Sequence, residues 1–167
     1  IPFFDSRKEE FLEYDLTRLI YLLSNPAKKT VGIMTQLPIN GMENNPLMRG
    51  QNVPPWQVVA QMKEVFEVKN IPPDSGEIPA DITVLMVVHP KSLSDKAQFA
   101  IDQFVLRGGH LLMFIDPWCE ADVPPGIDAM QAMSIPKASN PTKLLDAWGV
   151  EMIADRFRIV GLLGAGG

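Results

Sequence analysis

Ile82-Thr-Val-Leu-Met-Val-Val88 and Leu111-Leu-Met-Phe-Ile115 are two short apolar runs without a charge, and what stands between them decides the fold. Runs of this length fit strands covered on both faces, as in a parallel sheet. Between them, Ser94 sits where a helix N-cap is needed, and Ala97, Ile101, Phe104 and Val105 form one stripe as far as Arg107. Gly108-Gly109 then supplies a C-terminal stop. Strand, helix, strand is a βαβ unit, which calls for parallel pairing and a right-handed crossover.

Towards the N-terminus the same alternation continues. Thr30-Val-Gly-Ile-Met-Thr35 reads as a buried strand, and residues 66–71 alternate like another. Pro54-Pro55 opens a helix whose Val58, Val59, Met62 and Val65 are expected to face inward. Ser6 with Glu9 makes a capping-box start for a first amphipathic helix carrying Leu12, Leu16, Leu19, Ile20 and Leu23, stopped by Asn25-Pro26. Beyond the second run, Asn140-Pro141 is a cap and first-turn pair for a short helix with Leu144, Leu145 and Trp148, ended by Gly149. A last strand is expected over 156–160. The expected fold class is α/β, a mainly parallel sheet with helices on both faces, flavodoxin-like or Rossmann-like.

The chain has 167 residues, 46% of them hydrophobic, which is enough to bury one core, so a single domain spanning 1–167 is expected. A net charge of -5 with scattered Lys and Arg leaves no basic stripe for phosphates, and nucleic acid is not an expected partner. No apolar run approaches the roughly 20 residues that cross a bilayer. The start at Ile1-Pro2-Phe3-Phe4 has neither Met nor a signal pattern, as expected of a segment of a longer protein with any anchor outside it.

Two long connections, 36–53 and 117–139, leave the carboxyl ends of predicted strands and therefore share one rim, where open α/β sheets bind ligands. Thr35, Gln36, His89, Asp116 and Trp118 reach that rim, with Asn40, Asn44, Asn45 and Arg49 available from the first loop. Gln36, His89, Asp116 and Trp118 are the expected ligand-binding residues: Trp118 offers a face for stacking and the others offer hydrogen bonds.

The same residues allow other chemistry to be drawn. Cys119, His89 and Asp116 can be drawn as nucleophile, base and orienter. Cys119 lies in Asp116-Pro-Trp-Cys-Glu-Ala-Asp122, however, without the glycines of a nucleophile elbow and beside carboxylates that raise a thiol pKa. A plain loop cysteine is expected, and a structural role for His89 is favoured over a catalytic one. Asp116-Pro117 suits a ligand group and a strand-ending turn equally. Glu120, Asp122 and Asp116 are expected to form a solvated acidic loop rather than a Ca²⁺ or Mg²⁺ site. Two histidines, His89 and His110, and one cysteine exclude a His- or Cys-rich metal centre. Gly108-Gly109 follows a helix, the wrong order for a phosphate cradle, and no motif implies a cofactor. Met42, Met48, Met130 and Met133 are expected to be ordinary loop packing.

Four segments carry a resemblance. Ser6-Arg-Lys-Glu-Glu-Phe-Leu-Glu-Tyr-Asp-Leu-Thr-Arg-Leu-Ile20, Ile78-Pro-Ala-Asp-Ile-Thr-Val-Leu-Met-Val-Val-His-Pro-Lys91, the block from Leu93 through Gly109 to Leu111-Leu-Met-Phe-Ile-Asp-Pro117, and Lys143-Leu-Leu-Asp-Ala-Trp-Gly-Val150 resemble the GldG-like, gliding-motility-type ABC transport auxiliary family. The four segments are spread along the chain from Ser6 to Val150 and take in almost nothing of the two long loops. It implies an extracytoplasmic (periplasmic) domain, anchored by transmembrane helices elsewhere, beside an ABC permease and ATPase. It further implies a class I glutamine amidotransferase-like fold without the nucleophile elbow, and no catalytic residues. The expected function is thus a non-enzymatic domain binding a partner, a saccharide or another small molecule. A hydrolase or amidotransferase relative using Cys119, His89 and Asp116, and a structural spacer, are the alternatives.

Overall fold

A computed structural model of the chain describes residues 12–24, 27–45, 51–123, 127 and 129–150. In chain order its elements are α1 (Leu12–Ser24), β1 (Thr30–Thr35), β2 (Met42–Asn45), β3 (Gln51–Val53), α2 (Gln57–Val65) and β4 (Glu67–Ile71). They are followed by β5 (Ile82–Val88), α3 (Asp95–Leu106), β6 (His110–Phe114), α4 (Ala129–Ala132) and α5 (Thr142–Ala147). The parallel α/β architecture read from the sequence is the one observed. β4, β1, β5 and β6 lie side by side in that order, every pair parallel. The order is flavodoxin-like, and it reverses direction between β1 and β5.

Period-two alternation sorts the strand side chains onto two faces. On one, Met34, Ile71, Ile82, Leu85 and Val87 meet Ala100, Ile101 and Phe104 of α3 and Leu144 of α5. On the other, Val31, Ile33 and Met86 meet Val59 of α2, with Leu37, Ile39 and Cys119 closing the layer. Helices therefore cover both faces. The first face is sealed: Phe104 is 1% exposed, and each such ring or branched side chain contributes about 1.5–3 kcal/mol on burial.

α3 follows its sequence signals closely. The Ser94 hydroxyl accepts the Ala97 N–H at 3.2 Å, and Gly108 takes φ +92° where the helix stops. Gly109 serves another need, because a Cβ there would lie 2.4 Å from the Phe104 ring. The β4–β5 crossover, residues 72–81, contains no helix. Ile78 from this strap is buried in the first face, and its carbonyl accepts a hydrogen bond from Arg107.

Several expectations are corrected. The 36–53 connection is not structureless: β2 and β3 pair antiparallel within it. β6 ends one residue before Ile115, and among the described strands it lies at the edge of the sheet rather than fully buried. Leu111 and Met113 pack under α3, while Leu112 and Phe114 face the side that α2 does not reach. In α2, Val59 is buried but Val58 is 52% exposed, since the helix meets the sheet along Val59 and Met62. Pro141, not Asn140, occupies the N-cap position of α5 and makes no side-chain cap. Met130 and Met133 are exposed rather than packed.

The expected start of α1 at Ser6 and the expected strand at 156–160 lie outside the described residues. In the part of α1 that is described, Leu16, Leu19, Ile20 and Leu23 are exposed, and Arg18 pairs with Glu64 of α2.

Candidate functional site

The carboxyl ends of β1 and β5 meet at the point where the strand order reverses. There the chain turns sharply. His89 has φ 52°, the only non-glycine residue with positive φ among the described residues. Its N–H donates to the Phe114 carbonyl at 2.9 Å, continuing the β5–β6 ladder by one residue, and its carbonyl accepts the Lys91 N–H at 2.8 Å. The ring is 2% exposed. His89 Nε2 lies 3.3 Å from Asp122 Oδ2, while Nδ1 is buried without a partner.

Asp122 also pairs with Lys91. Burial alone would push its carboxyl up, but Lys91 and His89 outweigh that and hold it below the ordinary carboxylate value. Asp122 is thus the anchor that ties the 117–139 loop to the end of β5, and the expected solvated acidic loop is corrected at this residue.

Asp116 works on the backbone beside it. Its Oδ1 accepts the Trp118 N–H at 2.8 Å, an Asx turn that fixes where the indole leaves the strand. Ser139, fully buried, closes the far end of the same loop: its hydroxyl accepts the Asp116 N–H at 3.0 Å and its own N–H donates to the Asp116 carbonyl at 2.8 Å. Lys137 Nζ stands 5.5 Å from the Trp118 ring centroid.

Cys119 is buried in the second core layer, and its backbone N–H donates to the Lys137 carbonyl. Burial pushes its thiol up, the Asp116 and Asp122 carboxylates add to that, and the N–H groups of Ala121 and Asp122 oppose it. His89 is turned to Asp122, not to Cys119 or Asp116.

Between the two long loops lies a cleft of about 380 Å³, at the low end of the volumes that take small molecules. Leu37 and Trp56 come from the β1 side, and Val88, His89 and Phe114 from the strand ends. Asp116, Trp118, Cys119, Glu120 and Ala121 come from the second loop. Three of its aromatics are left open to solvent, Trp56 at 42%, Phe114 at 50% and Trp118 at 56%. Two other depressions, about 280 Å³ between α3 and α5 and about 620 Å³ between α1 and α2, lie away from this rim.

Of the four residues expected to bind ligand, His89, Asp116 and Trp118 line this one cleft. Gln36 does not; it is exposed beside Thr35 in the narrow crevice between the ends of β1 and β5. Asn40 buries its Oδ1 without a partner, and the side chains of Asn44, Asn45 and Arg49 lie outside the described residues. Trp56 and Phe114 were missed. Pro54-Pro55-Trp56 signals a helix start, and Phe114 sits in a run that reads as core. Only an uncovered edge strand turns Phe114 into a lining residue. Among the described residues no three His, Cys, Asp or Glu side chains gather as a metal site, and no helix is long and apolar enough to cross a membrane.

A family model described as an ABC-type uncharacterized transport system matches residues 28–159, well over half of the chain. No curated protein matches, and no solved structure does either.

Proposed function

This chain belongs to that family of ABC-type transport-system auxiliary components, and from this premise we propose that it is a non-enzymatic domain whose rim cleft binds a small molecule or partner of the transporter. The observation that carries the reading is the cleft itself. Its half-exposed Trp56, Phe114 and Trp118 gather at the carboxyl ends of parallel strands, beside the point where the strand order reverses. Aromatic side chains left open in a concavity at that place are the ordinary means of holding an organic ligand.

The wider setting belongs to the same proposal. The domain stands on the extracytoplasmic face of the membrane, held by segments other than those described, next to the permease and ATPase of its system. The resemblance to gliding-motility-type components supports that placement. The ligand is drawn from saccharides, small metabolites and exposed segments of the partner subunits.

A hydrolase reading through Cys119 has less support. A thiol pushed up by burial is a poor nucleophile, and among the described residues the side chain of His89 is hydrogen-bonded to Asp122 alone. Iodoacetamide separates the readings: an activated Cys119 reacts in the native state near neutral pH, whereas the inert cysteine reacts only on unfolding.

Thermal-shift screening against glycans, nucleotides, metabolites and divalent cations tests ligand binding directly. A ligand at a hundred times its Kd adds about 2.7 kcal/mol to stability. A shift that disappears in Trp118→Ala supports the cleft, and a flat screen against every class leaves the spacer role in its place.

A further inference from the structure

The lining chemistry of the cleft goes further than its position. Leu37, Trp56, Val88, Phe114 and Trp118 make its walls apolar and aromatic, and the charged side chains among its lining residues are the two carboxylates of Asp116 and Glu120. Among the described residues no Lys or Arg lines it. His89 is buried and its Nε2 is already directed to Asp122. An anion entering here would meet two lining carboxylates and no lining cation, the Lys137 ammonium standing outside the lining near Trp118. A neutral polyol would find few side-chain partners for its hydroxyls, and leaving them unpaired is costly.

We propose that the cleft takes a small organic cation of the quaternary ammonium class. Such a head group carries its charge over methyl groups and has no N–H to satisfy, so it can sit against ring faces and apolar walls while carboxylates balance its charge. Electron-rich ring faces attract cations within about 6 Å of the centroid. The Lys137 ammonium, 5.5 Å from the Trp118 centroid, already uses that ring in this way, so an entering cation takes the ring's free area or competes with Lys137 for it. The Asx turn from Asp116 Oδ1 to the Trp118 N–H holds a carboxylate at the backbone from which that ring projects, and both residues line the cleft. The carboxylate and the aromatic surface are thereby presented together.

This inference rests on the cleft being a ligand site, and the test is arranged to part the two. Choline chloride is titrated into the full chain by calorimetry and by tryptophan fluorescence, beside 3,3-dimethyl-1-butanol, which has the same shape with carbon in place of the charged nitrogen. Choline is expected to bind at least about tenfold tighter than the neutral isostere. Asp116→Asn with Glu120→Gln is expected to weaken choline at least about fivefold. In that variant the Asn carbonyl can still accept the Trp118 N–H, so an unchanged melting midpoint separates lost charge from lost fold. Trp118→Leu is expected to abolish the signal. Equal binding of the two probes overturns the inference. So does absence of choline binding at up to about 100 mM while neutral ligands from the screen still raise the melting point, an outcome that leaves the cleft a ligand site of another class. Failure of every ligand removes both readings.

Discussion

The two faces of the sheet carry the same kinds of side chain and end in different states. On the α3 face, Ala100, Ile101 and Phe104 come down onto Leu85 and Val87, and Phe104 and Ile101 are almost wholly shut off from solvent. On the α2 face the helix covers β1 and β4 but stops short of β6, so Leu112 and Phe114 stand half-exposed and Cys119 of the 117–139 loop, not a helix, closes the layer. The first face is built for stability. The second gives up some burial and gains a concavity at the rim, so stability and binding are assigned to different sides of one sheet.

The sharpest way to break this comparison is to make the same truncation on both sides. Phe104→Ala is expected to cost about 3–5 kcal/mol in urea unfolding, the range for a fully buried phenylalanine whose site cannot collapse. A loss below about 1 kcal/mol there would mean the sealed face is not what holds the fold.

Next in size is the anchor of the open side. Asp122→Ala removes the partner of buried His89 and of Lys91 and is expected to cost about 1–3 kcal/mol. Its acid dependence has a definite sign. The carboxyl is held below its ordinary value of 3.8 in the folded state, so its contribution is present above that value and is lost as pH falls through the lower, folded one. Wild type should therefore lose stability relative to Asp122→Ala on acidification below about pH 4, and parallel curves would remove Asp122 as an anchor.

Phe114→Ala, the counterpart of the Phe104 variant, should cost no more than about 1 kcal/mol while weakening any ligand held in the cleft. The smallest effect belongs to Leu112→Thr, expected within about 0.5 kcal/mol of wild type by thermal melting, since that side chain is 47% exposed on a strand that tolerates a β-branched residue.

The same contrast explains what was legible in the sequence. The α3 face could be read residue by residue, because the Ser94 cap, the apolar stripe and the Gly108 stop are local signals that packing then reinforces. The rim was legible in part. A parallel sheet puts His89, Asp116 and Trp118 at one end whatever else happens, and those three do line one cleft. Trp56 and Phe114 were not legible, because their exposure depends on where α2 ends relative to β6, a tertiary fact with no local signature. The role of Asp122 was hidden for a similar reason: it lies 33 positions from His89, and the pairing exists only once the second loop folds back. The β2–β3 pairing within the first long loop was missed because its short strands lack an alternating apolar pattern.

The strap over β1 has a consequence for time rather than for energy. Residues 72–81 carry Pro72, Pro73 and Pro79, and no peptide bond among the described residues is cis. In an unfolded chain each such bond is cis about 10–30% of the time, so roughly a quarter to two thirds of the molecules begin refolding with at least one of the three in the wrong isomer. Since Ile78 is buried from the middle of this strap, those molecules wait for an isomerisation that takes tens to hundreds of seconds at 25 °C. Refolding after a long unfolding delay should accordingly be biphasic, and a prolyl isomerase should quicken only its slow part.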